Sequence, residues 1–226
     1  MHAAVDQVEQ AEGAVGVLIN NAGYSQSGAI ETVPMDAVRR QFETNLFGPV
    51  RLTQLVLARM RGQRWGKIVN VGSMGGRLSF PGGGYYHATK HALEAISDAL
   101  RFELRGFGID VILLEPGLIT TDFGDAAAAS IAENSTGDAR DDEDPYAHFN
   151  ATVGAISKGA YEGPTRLIGA GPDRVAKVIE RALKRRRPPA RITITPSAKL
   201  MIATHALLPD RAWDAAMRRQ FPVPGG

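Results

Sequence analysis

The chain has 226 residues, 44% of them hydrophobic and 22% charged, a composition that suits one soluble α/β domain with a single sizeable core. A net charge of +2 gives no ground for a nucleic-acid partner, and the lack of cysteine excludes disulfides and thiolate metal sites. No apolar run reaches the roughly 18 residues of a membrane span, and the first residues lack a signal-peptide pattern, so a cytoplasmic location is expected by default.

In chain order, residues 15–19 are continuously apolar and read as a strand buried on both faces. A long helix is predicted over 35–60, then a second buried strand at 67–71. A helix follows over 85–105, where Leu93, Ile96, Leu100 and Leu104 share one stripe and Gly106 and Gly108 supply stop signals. Residues 109–114 give a third strand. This alternation predicts a doubly wound parallel sheet of Rossmann type, joined by right-handed crossovers. After Pro116 the periodicity weakens. Residues 118–170 hold a run of alanines, an acidic stretch at 138–144 and a glycine-rich part, and such a segment is expected to be a substrate lid. A helix over 173–187, a strand at 191–195 and a helical extension over 197–226 complete what reads as one domain, 1–226. That extension carries helices at 197–208 and 211–219.

Ligands of open α/β sheets bind at the carboxyl ends of the strands, and each predicted strand ends in usable chemistry. The first runs into Asn20, Asn21, Ala22 and Gly23, the second delivers the Ser73 hydroxyl, and the third ends in Glu115, Pro116 and Gly117. Each alone is ordinary loop chemistry. Their joint occurrence points to a site.

Tyr86 and Lys90 lie four residues apart on one predicted helix and so share a face. A free phenol, with a pKa of about 10, is too weak an acid to exchange protons near neutrality. A nearby ammonium favours the phenolate, and lowering that pKa by three units takes roughly 4 kcal/mol. Ser73 would then bind the substrate oxygen and steady its charge. Upstream, Pro49 lacks the N–H that would bond the carbonyl of Asn45, so a kink is expected there, with the freed carbonyl holding a water that relays protons to Lys90. The plainer reading is a helix irregularity around a half-buried asparagine.

Other signals are weaker. The cations from Lys184 to Arg187 read first as a solvated helix terminus. The helix at 197–208 would cover a lipophilic substrate, touch a membrane surface, or pack on another subunit or the core. His87 and His91 lie one turn apart without a third ligand, so no metal site is expected. Gly169, Ala170 and Gly171 have no strand before them and read as a loop leading to a helix start at Pro172.

Together these motifs resemble the short-chain dehydrogenase/reductase family from about Val15 to the C-terminus. Asn20-Asn21-Ala22-Gly23 is similar to the family's Asn-Asn-Ala-Gly motif, and Tyr86 and Lys90 to its Tyr-x-x-x-Lys motif. Ser73 and Asn45 stand at the family's usual offsets before that tyrosine, and Pro116, Gly117, Ile119 and Thr121 match the segment along the nicotinamide. The resemblance implies a catalytic set of Asn45, Ser73, Tyr86 and Lys90. It also implies cofactor contacts from Asn21, Ala22, Gly23, Tyr86, Lys90, Pro116, Gly117, Ile119 and Thr121. The implied reaction is hydride transfer between NAD or NADP and a secondary alcohol or its carbonyl, on a lipophilic, hydroxysteroid- or retinol-like substrate. A homodimer or homotetramer through the helices at 35–60 and 85–105 is implied as well. The departure is at the start, where residues 1–12 resemble the end of the family's third helix. The first βαβ units and the glycine-rich phosphate turn, roughly sixty residues, are missing from the pattern, as in a truncated or mis-started frame or a fragment. Cofactor binding is expected to suffer without that turn, and the first strand to present an exposed apolar edge. The alternative is a catalytically inactive dehydrogenase-like protein that acts through protein contacts.

Overall fold

The predicted strands are apolar enough to be buried on both faces, and in a computed structural model describing residues 1–134, 144–159 and 168–225 they form the centre of the fold. Strands β1 (Val17–Asn20), β2 (Gly66–Val71), β3 (Ile109–Glu115) and β4 (Arg191–Thr193) make one parallel sheet in that spatial order. Its register pairs Ile19 with Val69, Val69 with Ile112, and Glu115 with Thr193. Helix α1 (His2–Glu12) precedes β1. Helices α2 (Met35–Phe42) and α3 (Gly48–Gln63) join β1 to β2, and α4 (Gly84–Leu104) joins β2 to β3. Between β3 and β4 come α5 (Phe123–Asn134), α6 (Ala147–Gly159) and α7 (Pro172–Leu183), and α8 (Pro196–Leu207) and α9 (Asp210–Met217) follow β4.

Side chains alternate across the sheet, so each strand feeds two cores. Ile68, Ile109 and Val111 pack with Val56 and Met60 of α3 and Leu104 of α4. Val69, Ile112 and Leu114 point the other way, onto Val178, Ile179 and Ala182 of α7. Helices therefore cover both faces. The hand of the connections differs from the expectation, however. All steps move across the sheet in one direction, yet α3 and α4 lie on one face and α7 on the other, so the last crossover has the opposite hand to the first two. The chain reaches that face only after crossing the carboxyl ends of the strands through α5 and α6. A third core, of Ile131, Phe149, Val153, Trp213 and Met217, ties α5 and α6 to α9.

Local differences from the predicted elements have local causes. The helix predicted over 35–60 is interrupted by a π-helical turn at Glu43–Phe47, where Gly48 N–H bonds the Glu43 carbonyl five residues back. Pro49 cannot donate, and the extra residue in the turn absorbs the lost bond. Helix α7 stops at Leu183, short of the expected 187, because the buried Lys67 ammonium caps its end, donating to Leu183 O at 2.7 Å and Arg185 O at 2.6 Å. The weakly periodic segment after Pro116 holds α5 and α6. Residues 135–143, with most of the acidic stretch, and 160–167 lie outside the described residues. β1 is an edge in this sheet, with Val17 37% and Ile19 43% exposed, as expected for an unpaired apolar edge. Among the described residues no helix is long and apolar enough to cross a membrane.

Candidate active site

The carboxyl ends of β1, β2 and β3 meet at one cavity of about 1030 Å³. From β1, Asn21 and Gly23 reach its lining, and Asn20 anchors the strand end by donating to Asn70 Oδ1 at 2.8 Å. From β2 comes Ser73, which caps a single 3₁₀ turn, Met74–Gly76, by accepting from Gly75 N at 3.0 Å. The same turn is pinned to β3, because Met74 N donates to Pro116 O at 2.8 Å. From β3 the lining takes Pro116 and Gly117, then Ile119 and Thr121. Gly117 is there for space: a Cβ would lie 2.2 Å from Thr195 Oγ1, the hydroxyl that caps α8. Downstream, Ile119 forms a parallel bridge with Ala170, which seats the loop before Pro172.

Tyr86 and Lys90 enter the same cavity from the first two turns of α4. The Tyr86 ring is half-buried and meets the edges of His87 and Phe123, at 5.5 Å and 5.4 Å between centroids. Lys90 is buried, its Nζ 5.8 Å from the Tyr86 ring and donating to Val71 O at 2.8 Å. Burial pushes its ammonium down from 10.5 to about 8, so it stays mostly charged at neutral pH. Beside it, a Cβ on Gly23 would sit 3.2 Å from Asn45 Oδ1 and 3.5 Å from Lys90 Nζ. Glycine at that position keeps the space next to the ammonium open.

Two predicted site residues, Ala22 and Asn45, stand outside the lining. Asn45 sits in the π turn, where Pro49 predicts a kink, and it is fully buried rather than half-buried, with its side chain fully used. It accepts from Tyr24 N at 3.1 Å and donates to Tyr24 O at 2.9 Å and Thr89 Oγ1 at 3.2 Å. Thr89 in turn donates to Tyr86 O at 2.7 Å, which locks the loop after β1 to the turn of α4 that carries the tyrosine. Sequence reasoning missed Thr89, and its position inside the Tyr86–Lys90 turn was the available signal.

His87 is structural. Its Nδ1 lies 3.1 Å from Gly75 O, and because a carbonyl only accepts, Nδ1 carries the proton. Burial holds its imidazole down at about 4, against the weaker opposing effect of the Gly75 carbonyl. The unfolded chain binds a proton near 6.5 and the folded one only near 4, so stability present above 6.5 is lost as pH falls toward 4. The expected loss is roughly 3 kcal/mol. Urea titrations of wild type and His87→Asn at pH 7 and pH 4.5 check this; an equal acid loss in both would remove His87 as the cause. Among the described residues no three His, Asp or Glu side chains cluster as metal ligands. A second cavity, of about 490 Å³, lies behind Phe80, Pro81 and Phe221, which wall both.

With this geometry in place, comparison with known proteins is informative. The family model described as short chain dehydrogenase matches residues 1–131. Over 221 residues the chain is 34% identical to the 3-ketodihydrosphingosine reductase of Bacteroides thetaiotaomicron, covering 97% of this chain and 78% of that one. It is also 34% identical over 218 residues to the NADPH-dependent 3-dehydrocapnine reductase of Ornithobacterium rhinotracheale, with 93% and 72% covered. Among solved structures, a short-chain dehydrogenase from Streptomyces avermitilis is similar at a TM-score of 0.72 and 31% identity, over 96% of this chain and 72% of that one. A short chain dehydrogenase/reductase from Burkholderia phymatum in complex with NAD gives 0.72 at 26% identity, over 100% and 75%.

Proposed function

This chain belongs to the short-chain dehydrogenase/reductase family, as an oxidoreductase acting on CH–OH donors, and from that premise we propose that it interconverts a neutral, lipophilic secondary alcohol and its ketone with NAD or NADP. One observation carries the substrate class. Lys90 is the one lining residue of the large cavity, among those described, with a full charge at neutral pH, and the walls are Phe80, Phe123, Val153, Ile156, Met201 and Phe221. Among the described residues no lining carboxylate would receive a cationic substrate, and no arginine an anionic one. The two relatives named as reductases of 3-ketodihydrosphingosine and 3-dehydrocapnine support a lipophilic ketone, though not its lack of charge.

The residues fit the nicotinamide end of the cofactor. An ammonium has three donors, of which Lys90 gives one to Val71 O, and the Gly23 gap beside it leaves room for a ribose hydroxyl. Asn21, Ala22 and Gly23 would line that side, and Pro116, Gly117, Ile119 and Thr121 the other. When bound, the cofactor supplies or accepts the hydride. In the reducing direction Ser73 holds the ketone oxygen and Tyr86 gives it a proton as the carbonyl carbon is reduced. Lys90 stabilises the phenolate left behind, and Asn45 fixes the loop and helix turn around the pair. Segment 118–170 would form the lid over this site. Exposed Phe47 (51%), at the end of the π turn before α3, and Phe102 (84%), in α4, support association of copies through these helices.

The test is a titration of NADH and NADPH into the purified chain, followed by nicotinamide fluorescence, and then turnover on 2-alkanones of rising length. Each added methylene buried in the cavity is expected to raise kcat/KM by roughly fourfold until the walls are filled. A better rate on pyruvate than on a long 2-alkanone would overturn the assignment.

A further inference from the structure

The network around Glu115 has no part in the chemistry just described, yet through Arg77 it joins the end of the turn that Ser73 begins. Glu115 ends β3 and is 1% exposed, and both its oxygens are engaged. Oε1 accepts from Arg77 Nη1 at 3.2 Å and pairs with Arg191 Nε at 3.0 Å, and Oε2 accepts from Thr193 Oγ1 at 2.6 Å. Arg191 is the first residue of β4. Its guanidinium also reaches α4, donating to Glu94 Oε2 at 2.8 Å and 3.1 Å and to Asp98 at 3.1 Å and 3.2 Å.

Glu94 is 6% exposed and fills the floor under the serine turn. A Cβ on Gly76 would lie 2.9 Å from Glu94 Cγ, and one on Gly72 would lie 3.6 Å from Glu94 Oε1. Those two glycines bracket residues 73–75. The turn is thus held from below by the Glu94 side chain and from its far end by the Arg77–Glu115 pair. Arg191 is the cation common to both acids. Burial raises the Glu94 carboxyl above the usual range, opposed first by its Arg191 hydrogen bond, and Glu115 pushes it in the same direction as burial. Without Arg191, two buried carboxylates would face one another across the floor with Arg77 alone to offset them.

We propose that Arg191 is a positioning residue for hydride transfer, holding Glu94 and Glu115 so that the 72–77 turn presents the Ser73 hydroxyl to the substrate oxygen. The proposal rests on the dehydrogenase reading above. It assigns a role in turnover to a β4 side chain that touches neither substrate nor cofactor. Arg191 itself contacts no bound group, so its loss misplaces the Ser73 hydroxyl where transition-state charge develops and acts mainly on kcat, with KM little changed.

The experiment compares wild type, Arg191→Lys, Arg191→Leu and Thr193→Val by steady-state kinetics and by amide hydrogen exchange at residues 74–77. In Arg191→Leu, kcat is expected to fall roughly ten- to hundredfold with KM within about twofold. Exchange at 74–77 should quicken beyond any change elsewhere, and Arg191→Lys should recover most of kcat. An unchanged kcat, a loss confined to KM, or exchange that quickens evenly along the chain would each overturn the proposal. If Arg191→Leu does not fold, Thr193→Val carries the same test, because it removes one hydrogen bond to Glu115 and no charge. A wild type without turnover sinks the dehydrogenase reading instead. In that case the exchange arm still decides whether Arg191 orders the turn.

Discussion

Tyr86→Phe is expected to lower turnover by roughly 10²- to 10⁴-fold while leaving the fold and cofactor affinity as they are. The substitution removes one oxygen. Its ring still meets Phe123 and His87, and Thr89 still ties the Tyr86 carbonyl to Asn45, so these contacts of the helix turn are kept. The proton that the hydroxyl would carry has no comparable source, because the Ser73 oxygen already accepts from Gly75 N and an aliphatic hydroxyl is a far weaker acid. The loss corresponds to about 3–5 kcal/mol of barrier. Single-turnover rates together with nicotinamide fluorescence separate the two quantities. A variant retaining a tenth or more of the wild-type rate would mean that the acid is another group.

Lys90→Met should cost activity and gain stability together. The ammonium is buried and its pKa is lowered from 10.5 to about 8, which is a destabilisation of roughly 3 kcal/mol at neutral pH. Because the folded pKa lies below the unfolded one, the unfolded chain binds more protons between pH 8 and 10.5. Wild-type stability therefore rises through that window, and the full penalty stands below pH 8. Methionine removes the penalty but strands the Val71 carbonyl, at a cost of about 1–3 kcal/mol. The expected net gain is about 1 kcal/mol, or roughly 2–4 °C in Tm for a chain of this size. Turnover should drop at least about 10²-fold, since the phenolate loses its counter-charge. Thermal unfolding at pH 7 and pH 10 tests the pair of claims: a variant that keeps the alkaline rise would clear Lys90 of causing it.

The parts of the molecule that sequence made readable are those where local pattern and environment agree. β2 and β3 are covered on both faces, so their apolar runs had one reading. β1 has the same kind of run but is an edge of this sheet, with Val17 and Ile19 exposed, and the run alone does not distinguish an edge strand from a covered one. The disturbance at Asn45 was visible through Pro49, although its π-helical form was not. α5 escaped notice because its small residues make no apolar stripe, and it is recognised through Ala127, Ser130 and Ile131 packing under the loop after β1 and against α6. The Arg191 network left no local trace. Its hydrogen-bonded partners stand 97 residues apart for Glu94 and 78 for Thr193 with Glu115, and nothing in the spacing of either pair marks it.

The reversed hand of the last crossover bears on how far this protein can be redesigned by exchange of parts. The described chain after β3 begins at Pro116 and Gly117, lines the cavity from α5 and α6, and returns through α7 on the other face to β4, so we take it as the proposed roof. Roof and edge strand are therefore one continuous strap with its buckle at Arg191. A roof borrowed from a relative with another substrate would have to carry both fastenings, the 116–117 turn and the return into Arg191–Thr193. A graft cut between them would change the substrate's ceiling and loosen the floor under Ser73 at the same stroke.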